Sequence, residues 1–264
     1  MLWEKESQLP EKAMDSGKTD GLPLIRSDQW DERLTHVYKS FAEVAESFRV
    51  LRSRILHPHD DRPVPRTIMV TSALPKEGKS FVSANLGMML AQGVDQHSLL
   101  VDCDLRIPTL AGLFGVSSDA GLADYLQGTS GIVDLIQKTS VEKLSILPGG
   151  RPPVNPAELI GSARMHDLIE ELSVRYDDRF IIFDSPPSQA ASESIVLSQI
   201  VDGVVLVVRY GTSGAAAVKK IIEEIGAHKI IGVIFNGHKK NILSTALLYK
   251  NDYSCGAYYQ GEQG

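Results

Sequence analysis

An open α/β sheet, mostly parallel and doubly wound with helices on both faces, is the architecture the sequence predicts. From residue 67 onward, short β-rich runs alternate with helical stretches. Several of those runs are apolar throughout, as strands covered on both faces are, where a half-exposed strand would alternate. The third observation is size: 264 residues with 43% hydrophobic and 23% charged content suit one large core. These values, with a mean hydropathy of -0.06, exclude a wholly disordered, collagen-like or disulfide-scaffold chain.

Residues 1–30 are polar, broken by Pro10, Gly17, Gly21 and Pro23, and read as a mobile leader ahead of a domain over 31–248. Over 37–56, Val37, Phe41, Val44, Phe48, Leu51 and Ile55 recur at spacings of four and three, the stripe of an amphipathic helix. His57-Pro58 ends it. The strand candidates are 67–71, 98–101, 144–147, 180–183, 203–208 and 230–235. Helices are expected at 80–92, 110–114, 122–127, 156–176, 192–200 and 214–226, the fourth opening at Asn155-Pro156. Residues 249–264 hold Tyr249, Tyr253, Tyr258 and Tyr259, four of the eight tyrosines, with few aliphatics, and read as a tail outside the core.

No stretch approaches the roughly 20 apolar residues of a membrane-spanning helix, and residues 1–10 lack the apolar core of a secretory signal, so a cytoplasmic protein is expected. Cys103 and Cys255 have no partner at metal-ligand spacing. A net charge of -6 argues against a broad nucleic-acid-binding surface, and no nucleic-acid partner is expected.

Three strand ends carry the chemistry. Ala73-Leu-Pro75-Lys76-Glu77-Gly78-Lys79-Ser80, followed by Phe81, fits the P-loop pattern G-x-x-x-x-G-K-[ST] except at Ala73. Such a turn aims backbone N–H groups and a helix N-terminus at a phosphate chain, Lys79 reaches the terminal phosphates, and the Ser80 hydroxyl suits Mg2+. Asp102 and Asp104 stand two apart at the end of the second strand, where open α/β sheets build their sites. Carboxylates converging there repel unless a cation or a transferable proton compensates, which suits metal and general-base roles. The competing reading is a helix cap beside a loop acid. Phe180-Ile-Ile-Phe-Asp184-Ser-Pro-Pro187 ends a further buried strand in an acid, the Walker B arrangement. The three together predict a P-loop NTPase fold.

At these residues the chain resembles the bacterial tyrosine kinases of capsule and exopolysaccharide production, over about residues 38–259. Their Walker A is matched by residues 72–80, their Asp-x-Asp-x-Arg by 102–106, and their Asp-Ser-Pro-Pro by 184–187. Lys76 stands where many members have Gly. The resemblance implies that ATP is bound by Lys79 at its β- and γ-phosphates, that Ser80, Asp104 and Asp184 arrange Mg2+, and that Asp102 accepts the proton of an incoming tyrosine. Asn236 falls where related ATPases present an asparagine to adenine, and Arg209 ends the neighbouring strand. Glu46, Arg49 and Arg52 match a Glu-x-x-Arg-x-x-Arg element that joins subunits of this family into a ring. Their spacing sets them roughly opposite the buried stripe, free to meet another chain. The tail tyrosines resemble the cluster that these kinases phosphorylate in trans.

The activity implied is ATP-dependent tyrosine autophosphorylation regulating polysaccharide synthesis and export. Other proteins of polysaccharide synthesis are further candidate substrates, and a membrane polysaccharide co-polymerase is the activator that would recruit the chain to the membrane. The alternative is a switch ATPase of the partitioning or division-site-placing kind. Those carry a lysine at the second P-loop position, where this chain has Leu74.

Overall fold

The computed structural model describes residues 30–34, 42–58, 62–175, 178–189 and 191–237. The leader up to residue 29, Val37 and Phe41 of the helical stripe, and the whole tyrosine tail lie outside the described residues. Trp30 is 7% exposed and packs edge-on against Phe114 with ring centroids 5.6 Å apart, so the core already includes this residue, which the composition had assigned to the leader.

Seven strands form one sheet in the order β3-β4-β2-β5-β1-β6-β7. They are β1 (Thr67–Ser72), β2 (His97–Asp102), β3 (Gln137–Lys138), β4 (Leu144–Leu147), β5 (Arg179–Asp184), β6 (Gly203–Arg209) and β7 (Ile230–Asn236). All neighbouring pairs are parallel except β3 with β4. Six strands fall where the apolar runs predict them. The two-residue β3 is too short to leave a periodic signal.

The order places β5 between β1 and β2. Asp102 is thereby in register with Asp184, and Val70 of β1 lies on the other side of the same aspartate. Three separate loops are brought together at one end of the sheet, the arrangement in which open α/β sheets bind ligands.

Helices cover both faces. One core cluster is closed by α1 (Ala42–Leu56), α2 (Lys79–Ala91) and α3 (Leu110–Phe114). The other is closed by α4 (Leu122–Gln127), α6 (Pro156–Ile160), α7 (Ala163–Arg175), α8 (Glu193–Ile200) and α9 (Ala215–Ile225), with the short α5 (Ile132–Leu135) at its rim. Phe48, Leu51 and Ile55 of α1 are buried against the sheet, as their spacing requires. Each contributes about 1.5–3 kcal/mol of apolar burial. The single helix expected over 156–176 is two helices: α6 ends at Gly161, and the Ser162 hydroxyl oxygen accepts the Met165 N–H at 3.3 Å. Ser162 thus caps the start of α7. Among the described residues, no helix is long and apolar enough to cross a membrane.

Candidate active site

The loop from Ala73 to Gly78 joins β1 to α2, with Lys79 as the first residue of the helix. Two of its positions adopt left-handed backbone: Lys76 at φ 64° and Gly78 at φ 97°. Gly78 has a second constraint, because a Cβ there would lie 2.0 Å from Asn236 Nδ2. Lys76 holds a conformation that glycine adopts without strain, at a cost of about 1 kcal/mol.

Side chains far apart in sequence hold the loop in this shape. Glu77 is 0% exposed. Its carboxylate accepts N–H bonds from Leu74 at 2.9 Å and from Arg209 at 3.0 Å, and a short bond from the Ser213 hydroxyl. The Glu77 side chain therefore turns into the protein, so its place among the nucleotide-binding residues rests on its backbone. Arg209 Nη1 donates to the Lys76 carbonyl at 2.9 Å, and Asn236 Nδ2 donates to the Glu77 carbonyl at 2.7 Å. Arg209 at the end of β6, Ser213 in the loop after it and Asn236 at the end of β7 thus brace the loop. Ala73 is buried, whereas Pro75 and Lys76 are exposed.

Lys79 is 7% exposed. The Thr109 hydroxyl donates to Ser80 Oγ at 2.7 Å, tying the P-loop helix to the turn after β2. Phe81 and Asn236 line a groove of about 600 Å3 with Val44 and Phe48 of α1. That volume lies within the range of small-molecule sites.

The acids occupy unlike environments. Asp184 is wholly buried; the Ser83 hydroxyl donates to its Oδ1 at 3.1 Å, and Oδ2 accepts no hydrogen bond. Burial pushes its carboxyl up to about 6, against the pull of Lys79 and the Ser80 and Ser83 hydroxyls. Asp102 is also 0% exposed. Its Oδ2 accepts the N–H groups of Thr109 and Leu110, each at 2.9 Å, and Oδ1 that of Asp104 at 3.3 Å. Burial, reinforced by the charge of Asp184, drives its carboxyl well above the ordinary range despite those bonds. Asp102 thus binds two N–H groups at the start of α3 while standing beside Asp184.

Asp104 is partly exposed. Burial raises its carboxyl and Glu193 adds to the rise, while Lys79 and Arg106 oppose it. Cys103, between the two aspartates, is 1% exposed, and burial pushes its thiol up, which makes it an inert core residue.

The sequence-read residues Lys79, Ser80, Asp102, Asp104 and Asp184 thus meet at one end of the sheet. Among the described residues, no three His, Cys, Asp or Glu side chains form a metal cage by themselves. The donor set instead fits Mg2+, which is held by one or two protein oxygens together with water and substrate phosphates. The unpartnered buried Asp184 Oδ2 is the acceptor such an arrangement requires.

A family model described as the CobQ/CobB/MinD/ParA nucleotide binding domain matches residues 68–251. Tyrosine-protein kinase YwqD of Bacillus subtilis is 36% identical over 197 residues, which span 74% of this chain and 81% of that protein. The chain belongs to the bacterial tyrosine-kinase family. Among solved structures, the chimerical protein CapA2B2 aligns with a TM-score of 0.71 at 34% identity, covering 83% of this chain and 96% of that one. The kinase domain of the Escherichia coli tyrosine kinase ETK aligns at the same TM-score and 31% identity, covering 86% and 84%.

The three residues of the Glu-x-x-Arg-x-x-Arg element differ in exposure. Glu46 and Arg49 are exposed on α1 and pair with each other at 2.7 Å. Arg52 departs from the expected outward row: it is half-buried, and its Nη2 donates to Gln96 of its own chain at 3.4 Å. Glu193, Arg209, Ser83 and Thr109 are site neighbours that sequence reasoning did not assign. Only Arg209, at a strand end, carried any signal.

Proposed function

We propose that the chain transfers the γ-phosphate of ATP to tyrosine, first on the tail tyrosines 249, 253, 258 and 259 of a neighbouring copy, and in doing so regulates polysaccharide synthesis and export. The observation that carries this reading is the register that sets Asp102 beside Asp184, with Lys79 at the head of α2 close enough to lower the Asp184 carboxyl. Family membership selects tyrosine as the acceptor.

The roles follow from charge and position. The backbone of residues 74–80 and the α2 N-terminus receive the phosphate chain, and Lys79 offsets charge on the transferred group. Ser80, Asp104 and Asp184 would hold Mg2+, which when bound neutralises phosphate charge. Asn236, whose amide donates to the Glu77 carbonyl, would offer its carbonyl oxygen to the purine. Asp102 receives the phenolic proton. Its raised affinity for a proton suits that role.

Glu46 and Arg49 on the open side of α1 would engage the neighbouring copy in a ring, and a cytoplasmic segment of a membrane co-polymerase would activate and recruit it. Each phosphate adds about -1.5 to -2 charges, so a modified tail would be expelled from a site lined by three carboxylates.

The test is trans transfer to a synthetic peptide of residues 249–264, with ATP and Mg2+, read as phosphotyrosine. Wild type is expected to label the peptide, and Lys79→Met to label it at least 100-fold more slowly. ATP hydrolysis without any phosphotyrosine would select the switch-ATPase reading instead.

A further inference from the structure

Arg106 and Glu193 lie 87 positions apart, and Arg106 Nε donates to Glu193 Oε1 at 2.9 Å. The pair is asymmetric. The Arg106 side chain is 48% exposed and that of Glu193 only 2%, and Glu193 Oε2 accepts no hydrogen bond. A buried carboxylate with one bare oxygen is expensive to keep, so its presence calls for a reason beyond packing.

Each partner is anchored to a different wall of the site. Arg106 belongs to the turn after β2, in which the Ile107 N–H reaches both the carbonyl and Oδ1 of Asp104 at 3.1 and 3.3 Å. Glu193 opens α8, where the Ser194 hydroxyl donates to the Pro186 carbonyl at 2.7 Å, fixing the helix start to the loop that follows Asp184. The Ser185 N–H donates in turn to Val70 of β1 at 3.1 Å. A bond from Arg106 to Glu193 therefore fixes the turn carrying Asp104 to the wall carrying Asp184.

We propose that Glu193 is a positioning residue for phosphoryl transfer: through Arg106 it straps the Asp104 turn to the start of α8, holding Asp104 beside Asp184 and Lys79. The strap acts on the geometry of the transfer step: the P-loop is braced from elsewhere by Arg209, Ser213 and Asn236, and its own tie to the turn, from Thr109 to Ser80, does not pass through Arg106. This inference rests on the kinase reading and adds a residue to it. Placement errors of about 1 Å at such a site cost on the order of 100-fold in rate, so a strap of this kind is read in turnover.

The experiment compares wild type, Glu193→Gln, Glu193→Asp, Arg106→Lys and the Glu193→Gln/Arg106→Lys double variant. Phosphotyrosine yield on the 249–264 peptide gives kcat and the KM for ATP, with a thermal melt on each protein. Glu193→Gln keeps an oxygen for Arg106, and Arg106→Lys keeps a cation beside Glu193, so neither leaves an uncompensated buried charge. The inference expects kcat to fall about tenfold in Glu193→Gln and in Arg106→Lys, with KM for ATP within twofold of wild type. It also expects partial rescue in Glu193→Asp and a double variant no slower than the slower single one. Unchanged kcat in folded single variants, multiplicative losses in the double, or a KM that rises in step with the loss would overturn it. Failure of wild type itself to form phosphotyrosine would instead overturn the kinase reading, so the two failures are distinguishable.

Discussion

Gly78 combines a left-handed backbone with the side-chain amide of Asn236, 2.0 Å from where a Cβ would stand. Gly78→Ala should therefore displace Asn236 from the Glu77 carbonyl and cost about 2 kcal/mol of stability. It should also weaken ADP affinity at least tenfold by calorimetric titration, and wild-type affinity would contradict this account of the loop. The buried acids make a pH prediction. Asp184 titrates at about 6 when folded, above its ordinary 3.8, so between those values the folded protein holds a proton that the unfolded chain has released. Its contribution is full below pH about 4 and is lost as pH rises through about 6, a cost on the order of 3 kcal/mol above that point. Asp184→Asn should then be more stable than wild type at pH 7.5 and indistinguishable near pH 4, as read by urea unfolding of the nucleotide-free protein. A variant no more stable at pH 7.5 would contradict the assigned burial cost. At this scale, Lys79, Asp102 and Asp184 were legible because each stands at a fixed offset from an apolar run. The inward turn of Glu77 and the Arg106–Glu193 pair were not, because their partners lie 132 and 87 positions away and no local pattern encodes them.

At the scale of elements, α1 has two unlike faces. Phe48→Ala on the buried face should cost about 3–4 kcal/mol. Glu46→Ala with Arg49→Ala on the exposed face should cost less than about 1 kcal/mol, since the ion pair is largely in water. The double alanine variant should nonetheless reduce self-association, measured by sedimentation velocity at matched concentration; unchanged assembly would remove α1 from the interface. Strands were legible wherever an apolar run exceeded three residues. The break between α6 and α7 was written as Gly161-Ser162, a stop followed by a cap, but an uninterrupted helical periodicity on both sides masked it. The antiparallel β3 followed from no pattern at all: it is a pairing with β4 made possible by the fold around it.

For the whole molecule, the parallel sheet and its two covering layers were written in the alternation of runs, whereas the strand order was not. Only the insertion of β5 between β1 and β2 explains why three distant motifs form one site. That convergence places the proposed chemistry, for which the tail tyrosines are the proposed acceptors. The measurement that tests this most directly is intact-mass and peptide mass spectrometry of the purified protein before and after ATP with Mg2+, beside Lys79→Met and Asp102→Asn. The account predicts phosphate on tyrosines between positions 249 and 259 in the wild type and on none of them in either variant. ATP turnover with no added mass on tyrosine, even with an activating co-polymerase segment present, would contradict it.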